Sequence, residues 1–210
     1  MKLTLYYPMK PYRPGGKFGV CPPGKVCEYY RNVLGLKGHN GIDVPCDTGT
    51  PVYASHDGTV TFAGEDGSAG MGVVIRTHEK FDYEKGQAYF KTIYWHLKKD
   101  GIKVKAGQKV KAGDLIALAN NTGFSTGSHL HFGLKPVYKG EKDWEWWNAE
   151  QDNGYKGAID PDPYFVGYYG NLPAWHFIEM YAAKLADEGK IKQSNHFYAI
   201  AQFVKGITGL

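Results

Sequence analysis

The segment Gly127-Ser128-His129-Leu130-His131-Phe132 predicts a β-strand that carries two histidines on one face. Side chains two residues apart on a strand point to the same side, and a rise of about 3.3 Å per residue places them roughly 7 Å apart. Apolar Leu130 and Phe132 alternate with the histidines, as in a half-buried strand. This spacing suits a metal ligand beside a group that contacts substrate or water, and it leaves open which histidine is the ligand.

A second group of candidate ligands lies upstream, in Gly38-His39-Asn40-Gly41-Ile42-Asp43-Val44. If this segment is extended, His39 and Asp43 share a face, and Gly41 between them leaves room for an ion. Imidazole and carboxylate groups are good zinc ligands, and a catalytic zinc site holds three protein ligands and keeps one position open. His39, Asp43 and one histidine of the pair at 129 and 131 would supply that number.

A fifth candidate is His96, in the apolar run 90–97, where Tyr94 and His96 occupy alternate positions of a predicted strand. Any one of these histidines, taken alone, is more often an ordinary surface or core residue. Four histidines in glycine-flanked or strand contexts, beside an aspartate, favour a shared site instead.

Three motifs therefore occur in order along the chain: His39-x-x-x-Asp43, Tyr94-x-His96-Leu97 and His129-Leu130-His131-Phe132. In this order they resemble the motifs of the lysostaphin/LytM-like zinc metallopeptidases, which cut peptide cross-links in bacterial cell walls. Supporting matches lie at 48–54, 57–60 and 121–127. The resemblance covers residues 7–165.

The resemblance implies that His39, Asp43 and His131 bind one zinc ion and that His129 and His96 are catalytic groups beside it. Amide hydrolysis needs a nucleophile, a polarised carbonyl and a proton donor for the leaving amine. The sequence has no His-Glu-x-x-His motif to supply a glutamate base, and histidine is the remaining side chain suited to that task near pH 7. We therefore expect His129 to act as general base while His96 orients water or stabilises the oxyanion, or the reverse.

Two alternatives belong to other functional classes. The first is a catalytically inactive LytM-like module that binds the cell wall or activates another hydrolase; such proteins typically lose metal ligands, and all five positions are present here. The second is a biotinyl/lipoyl-type carrier, suggested by the repeat at 104–107 and 110–113, but the chain lacks the Met-Lys-Met or Asp-Lys context of a carrier lysine. Gly133, where the family commonly has an acidic residue, and an insertion at 21–37 leave the cleavage preference open.

The predicted fold class is mainly β, an antiparallel sheet or open barrel with a groove, because 28 glycines and 16 tyrosines in 210 residues favour a turn-rich β protein. Short strands are predicted at 51–54, 59–63, 73–77, 88–97 and 115–119. We expect a peptidase domain at 1–170, with its motif core at about 35–135. Helical spacing then predicts a C-terminal extension at 171–210 that forms a short αα-hairpin.

Charge and terminal sequence limit the partners. The formal charge of +4 is small, and no Lys/Arg-rich run indicates a nucleic-acid partner. The N-terminus shows no apolar stretch long enough for a signal peptide, and no segment is predicted to span a membrane. We expect a monomer that acts on stem and cross-bridge peptides of peptidoglycan, extracellularly at the cell wall or as a phage-associated lytic enzyme.

Cysteines and aromatic residues lead to predictions about a disulfide and about loop packing. Cys21 and Cys27 bracket a short loop that is either closed by a disulfide or carries two free thiols, and Cys46 is expected to be a small buried apolar residue. The aromatic-rich segment 139–170 is expected to pack a long loop onto the β core, although exposed rings could instead stack on substrate.

Overall fold

The computed structural model describes residues 1–142, 145–170 and 199–200. Their strands are β1 Leu5–Tyr6, β2 Ile42–Pro45, β3 Pro51–Tyr53, β4 Gly58–Glu65, β5 Met71–Thr77, β6 Phe81–Tyr83, β7 Gly86–Leu97, β8 Lys109–Val110, β9 Leu115–Leu118, β10 His129–Lys139, β11 Trp146–Asn148 and β12 Phe165–Gly167. Their helical segments are the short α-helix α1 Lys25–Glu28, a π-helical turn at Tyr29–Val33, and 3-10 turns at Gly67–Ala69, Lys99–Gly101 and Asp162–Tyr164. The predicted mainly β class is confirmed.

The main sheet contains eight of the described strands, all paired antiparallel. Its order is β11-β10-β7-β5-β4-β8, with β2 also paired to β10 and β6 also paired to β7. Two small sheets flank it, the parallel pair β1-β12 and the antiparallel pair β3-β9. This open antiparallel sheet matches the predicted architecture.

The long strands β7 and β10 divide their side chains between two faces because successive strand residues point to opposite sides. Phe90 and Tyr94 of β7 and Phe132 and Leu134 of β10 are fully buried in the core. The Tyr94 and Phe132 rings meet edge to face, with centroids 5.3 Å apart, and the Tyr94 hydroxyl accepts the Ser55 N–H at 2.9 Å. The opposite face of β10 therefore carries the histidines.

The insertion at 21–37 is a compact helical loop. A disulfide joins Cys21 and Cys27, whose Cα atoms lie 4.9 Å apart, so the disulfide alternative is confirmed. Cys46 is a free cysteine, but it is half-buried against the core rather than fully buried as predicted. Its position just after β2, next to a polar turn, keeps one side near solvent.

The aromatic-rich segment divides between core and surface. Tyr164 and Phe165 pack against the core, and the Phe165 ring contacts Phe132 at a centroid distance of 5.3 Å. Trp147 and Tyr169 are 53% and 49% exposed, respectively, so packing explains only part of the segment. The packing prediction is therefore confirmed for Tyr164 and Phe165, and stacking of the exposed rings on substrate stays a prediction.

The predicted αα-hairpin at 171–210 lies outside the described residues except for positions 199–200. The boundary between 170 and 171 therefore stays a prediction. Within the described part of the chain, no helix is long and apolar enough to cross a membrane.

Candidate metal centre

His39, Asp43 and His131 bring three ligand atoms to one point. The His39 Nε2 atom lies 3.0 Å from His131 Nδ1 and 3.1 Å from Asp43 Oδ1. The third side, from His131 Nδ1 to Asp43 Oδ1, is 3.0 Å. The three residues predicted as ligands thus form a nearly equilateral triangle of donor atoms.

The pairing of β2 with β10 produces one side of this triangle. His131 lies directly opposite Asp43 in the antiparallel register, and directly opposite residues project to the same face. His39 reaches the same point because the chain bends at residues 37–41 before β2 begins at Ile42. The expectation that 38–44 is extended is therefore wrong for its first half, since four extended residues would separate His39 from Asp43 by about 13 Å.

Gly41 has a different role from the one expected. A Cβ atom at position 41 would lie 2.5 Å from the carbonyl oxygen of Phe132 and 2.7 Å from His131 Nε2. Glycine therefore admits the backbone of β10 and the imidazole ring of His131 rather than leaving space for the ion itself.

The donor set fits a divalent metal such as zinc. In a tetrahedral site with metal–ligand bonds of about 2.0–2.1 Å, neighbouring ligand atoms lie about 3.3–3.4 Å apart, close to the sides of the triangle. The His39 Nδ1–H donates to the carbonyl oxygen of Lys17 at 3.2 Å, which leaves the Nε2 lone pair directed at the triangle. A backbone acceptor behind a ligating histidine is the usual way of fixing the ring and its tautomer.

His129 stands beside the triangle, on the same face of β10 as His131. Its Nε2 atom is 3.5 Å from Asp43 Oδ1. Its Nδ1 is 2.8 Å from the carbonyl oxygen of Gly127 and 3.1 Å from the Ser125 hydroxyl. The Nδ1–H donates to the carbonyl, so Nε2 is the free acceptor on the metal side.

His96 reaches the site through an irregularity of β7. Strict alternation would place it on the core face with Tyr94, but His96 has a φ of 62° and the β5-β7 register shifts beside it. As a result its ring lies 4.6 Å from that of His129 and 6.1 Å from that of His131. Its Nδ1–H donates to the carbonyl oxygen of Thr122 at 2.7 Å, which again turns Nε2 toward the centre.

The electrostatics favour the protonation states that metal binding requires. Burial alone would raise the pKa of Asp43, but hydrogen bonds and charge from His131 and His39 hold it well below its usual range. Burial lowers the pKa of His131, and it lowers the pKa of His96 to about 4. The site therefore presents an ionised Asp43 carboxylate and neutral His131 and His96 rings at pH 7, and ligation demands this state of Asp43 and His131.

The donor triangle lies at the base of a cleft of about 290 Å³. One wall is the insertion, whose Tyr30 stacks on His39 with ring centroids 5.8 Å apart. Above it, Tyr29 stacks on Phe124 of the opposite wall at 3.6 Å. Sequence reasoning noticed the insertion but did not identify Tyr29 or Tyr30; the available signal was a pair of aromatic residues directly after the Cys21–Cys27 loop.

Comparison with known protein families identifies the class of protein to which this sheet and this His/Asp/His site belong. Residues 37–143, just over half of the 210-residue chain, match the profile of Peptidase family M23. The chain belongs to peptidase family M23, as the three motifs indicated.

Individual relatives and structures are similar over this region. The peptidoglycan DD-endopeptidase ShyA of Vibrio cholerae is 46% identical over 96 residues, which cover 46% of this chain and 20% of that protein. The catalytic domain of the antimicrobial peptidase lysostaphin from Staphylococcus simulans has a TM-score of 0.53 and 26% identity, over 73% of this chain and 91% of that domain. A zinc-containing peptidase from Vibrio cholerae has a TM-score of 0.50 and 32% identity, over 70% of this chain and 40% of that chain. The chain spans about a fifth of the length of the curated relatives that it matches.

Proposed function

We propose that this protein is a zinc-dependent endopeptidase that hydrolyses peptide cross-links of bacterial peptidoglycan. The observation that carries the proposal is the triangle of donor atoms with sides of 3.0–3.1 Å, bordered by the Nε2 atoms of two further histidines. Membership of peptidase family M23 supports peptide hydrolysis. The names of relatives support the substrate and the metal, since one is a peptidoglycan DD-endopeptidase and another a zinc-containing peptidase.

His39, Asp43 and His131 would hold the metal. Bound zinc lowers the pKa of a coordinated water to about 7 and polarises a carbonyl oxygen. The three residues supply two imidazoles and one carboxylate, and the cleft leaves the side facing His129 and His96 open to substrate.

His129 is proposed as the general base. Its Nδ1–H is held by the Gly127 carbonyl, so Nε2 accepts a proton from the attacking water. The imidazolium formed in this way can then deliver that proton to the leaving amine.

His96 is proposed to orient the attacking water. Because its Nδ1–H is committed to the Thr122 carbonyl and burial keeps the ring neutral, Nε2 can only accept a hydrogen bond. This arrangement favours the water-orienting role over stabilisation of the oxyanion, which requires a donor.

The test is digestion of purified muropeptides of several cross-link types, with mass analysis of the fragments and a chelator control. The zinc-loaded chain should release new amino termini, and the chelated chain should not. His129→Ala and His96→Ala should abolish release while retaining zinc, whereas His78→Ala, at an exposed histidine outside the cleft, should leave release unchanged. Binding of intact muropeptides without any release would instead identify the non-cutting, wall-binding member of the family.

A further inference from the structure

Three cations form a row across the face of the main sheet that also carries the metal centre. Lys91 of β7 lies directly opposite Arg76 of β5 on one side and Lys135 of β10 on the other. Directly opposite residues share a face, and Lys135 shares the face of His131 because the two are four residues apart on one strand. Adjacent strands lie about 4.8 Å apart, so the row is roughly 10 Å long.

Within the described residues, the charge of this row is not neutralised by an ion pair. No carboxylate in the described part of the chain forms an ion pair with any of the three cations. Burial lowers the pKa of all three, to about 8 for Lys135, and the neighbouring positive charges lower it further for both lysines. Like charges placed directly opposite in a sheet destabilise it, so folding alone gives no reason for this arrangement.

A cleft of about 530 Å³ lies over two of the three cations, Arg76 and Lys91, and Lys135 adjoins it as the partner of Lys91 on the next strand. Arg76, Lys91 and Trp146 line it together with the hydroxyl-bearing Thr59 and Thr61. The Trp146 ring lies 3.7 Å from the Arg76 guanidinium carbon and holds that side chain in place. A half-buried guanidinium and ammonium groups beside hydroxyl donors are the groups that bind an oxyanion.

The row is continuous with the metal cleft. Lys135 is four residues from His131 along β10, a distance of about 13 Å. Between them lies Gly133, which presents no side chain, and its nearest neighbour for an added Cβ is Ile93 at 3.5 Å. Lys156 lines the metal cleft and is close enough to lower the pKa of Lys135, so positive charge extends along this path.

We propose that Arg76, Lys91 and Lys135 form a subsite that binds a carboxylate of a peptidoglycan stem peptide while the cross-link of that peptide lies at the metal centre. The proposal rests on the proposed function and adds the part of the substrate held away from the cut bond. The separation of about 13 Å equals roughly four extended residues, which suits a short peptide that bridges both places.

The test measures affinity for a cross-linked muropeptide dimer with free carboxylates and for the same dimer with amidated carboxylates. Binding is measured by calorimetry on the full zinc-loaded chain carrying His129→Ala, so that no turnover is needed. Arg76→Gln, Lys91→Met and Lys135→Met should each weaken binding of the free acid about tenfold and leave binding of the amide unchanged. Lys103→Met, at an exposed lysine that lines neither cleft, should change neither.

Thermal unfolding of the same variants separates a binding role from a structural one. If the row exists for binding, Lys91→Met and Lys135→Met relieve repulsion and should raise the unfolding temperature while they weaken binding. Equal loss of affinity for acid and amide, or unchanged affinity for both, would overturn the proposal. So would binding of long-chain polyphosphate that is lost in the three variants, together with no binding of the peptide, which would assign the row to phosphate polymers.

The outcome is separable from that of the proposed function. If the three cations do not bind the carboxylate, zinc-dependent release of amino termini is unaffected and only the affinity difference is absent. If the protein does not hydrolyse cross-links, the unsubstituted chain releases no amino termini. The difference in affinity between the free acid and the amide can still be measured.

Discussion

His131 lies directly opposite Asp43 across the β2-β10 pair, and its Nδ1 atom is 3.0 Å from Asp43 Oδ1. The contact depends on strand register, because a slip of one residue would turn one of the two side chains to the core face. The relative position of Asp43 and His131 is therefore set by the register of the β2-β10 pair.

Asp43→Asn should sharply weaken zinc binding, because the substitution removes the carboxylate from the three proposed ligands while keeping the shape of the side chain. In the unsubstituted chain, added zinc should raise the unfolding temperature, since a ligand that binds only the folded state stabilises it. That rise should disappear in Asp43→Asn and persist in Asp100→Asn, at an exposed carboxylate paired with Lys98. An equal rise in both variants would exclude Asp43 as a ligand.

Gly41→Ala should also weaken zinc binding, although it removes no ligand. The new Cβ would meet the Phe132 carbonyl and the His131 ring, so the ring must move away from the other two donors. Loss of groups that position a metal ligand typically costs about 10–100-fold in metal affinity, and we expect a loss of at least that size. Equilibrium dialysis against zinc measures it, with Gly64→Ala as control because its Cβ would have no neighbour closer than 3.8 Å. Equal zinc affinity in the two variants would contradict this role of Gly41.

The left-handed backbone conformation of His96 predicts that the stability of a variant depends on which residue replaces the histidine. At a φ of 62°, asparagine is tolerated and a β-branched residue is disfavoured. His96→Val should therefore be less stable than His96→Asn by about 1–2 kcal/mol in urea-induced unfolding. Both variants should lack hydrolysis and retain zinc, since neither removes a ligand. Equal stability of the two would argue against the backbone conformation at this position.

The buried ring of His56 should make the protein less stable in acid, whether or not metal is bound. The ring is buried, its Nδ1–H donates to the Asp57 carbonyl at 2.8 Å, and its Nε2 accepts the Thr92 hydroxyl at 2.9 Å. Burial lowers its pKa from 6.5 to about 4. The unfolded chain therefore takes up the proton more readily, so this contribution is complete above pH 6.5 and is lost as the pH falls toward 4.

The size of this effect is about 3 kcal/mol, since one pKa unit corresponds to about 1.4 kcal/mol. Urea unfolding of the chelated protein between pH 4 and pH 7 measures it, and His56→Gln should show a smaller pH slope than the unsubstituted chain. His78→Gln, at an exposed position, should keep the full slope. An unchanged slope in His56→Gln would mean that His56 does not titrate in this way.

Local patterns predicted the parts of the structure that depend on local geometry. Alternation along 129–132 placed His129 and His131 on one face and Leu130 and Phe132 in the core, because period-two geometry needs no information from other strands. Family resemblance, rather than geometry, selected His131 as the ligand.

Features that depend on distant parts of the chain were missed or predicted for the wrong reason. The bend before Ile42, which returns His39 to Asp43, depends on where β2 pairs with β10. The conformation of His96 depends on where β7 pairs with β5. The row formed by Arg76, Lys91 and Lys135 is invisible in sequence for the same reason, since only register brings these residues together.

If five side chains act around one metal ion as proposed, zinc titration of the chelated chain should restore hydrolysis. Amino termini released from a cross-linked muropeptide are counted as zinc is added. We predict that release rises from zero and saturates at one zinc per chain, and that His129→Ala binds the same single zinc with no release. Undiminished release by the metal-free chain, or failure to bind zinc at all, would contradict the account.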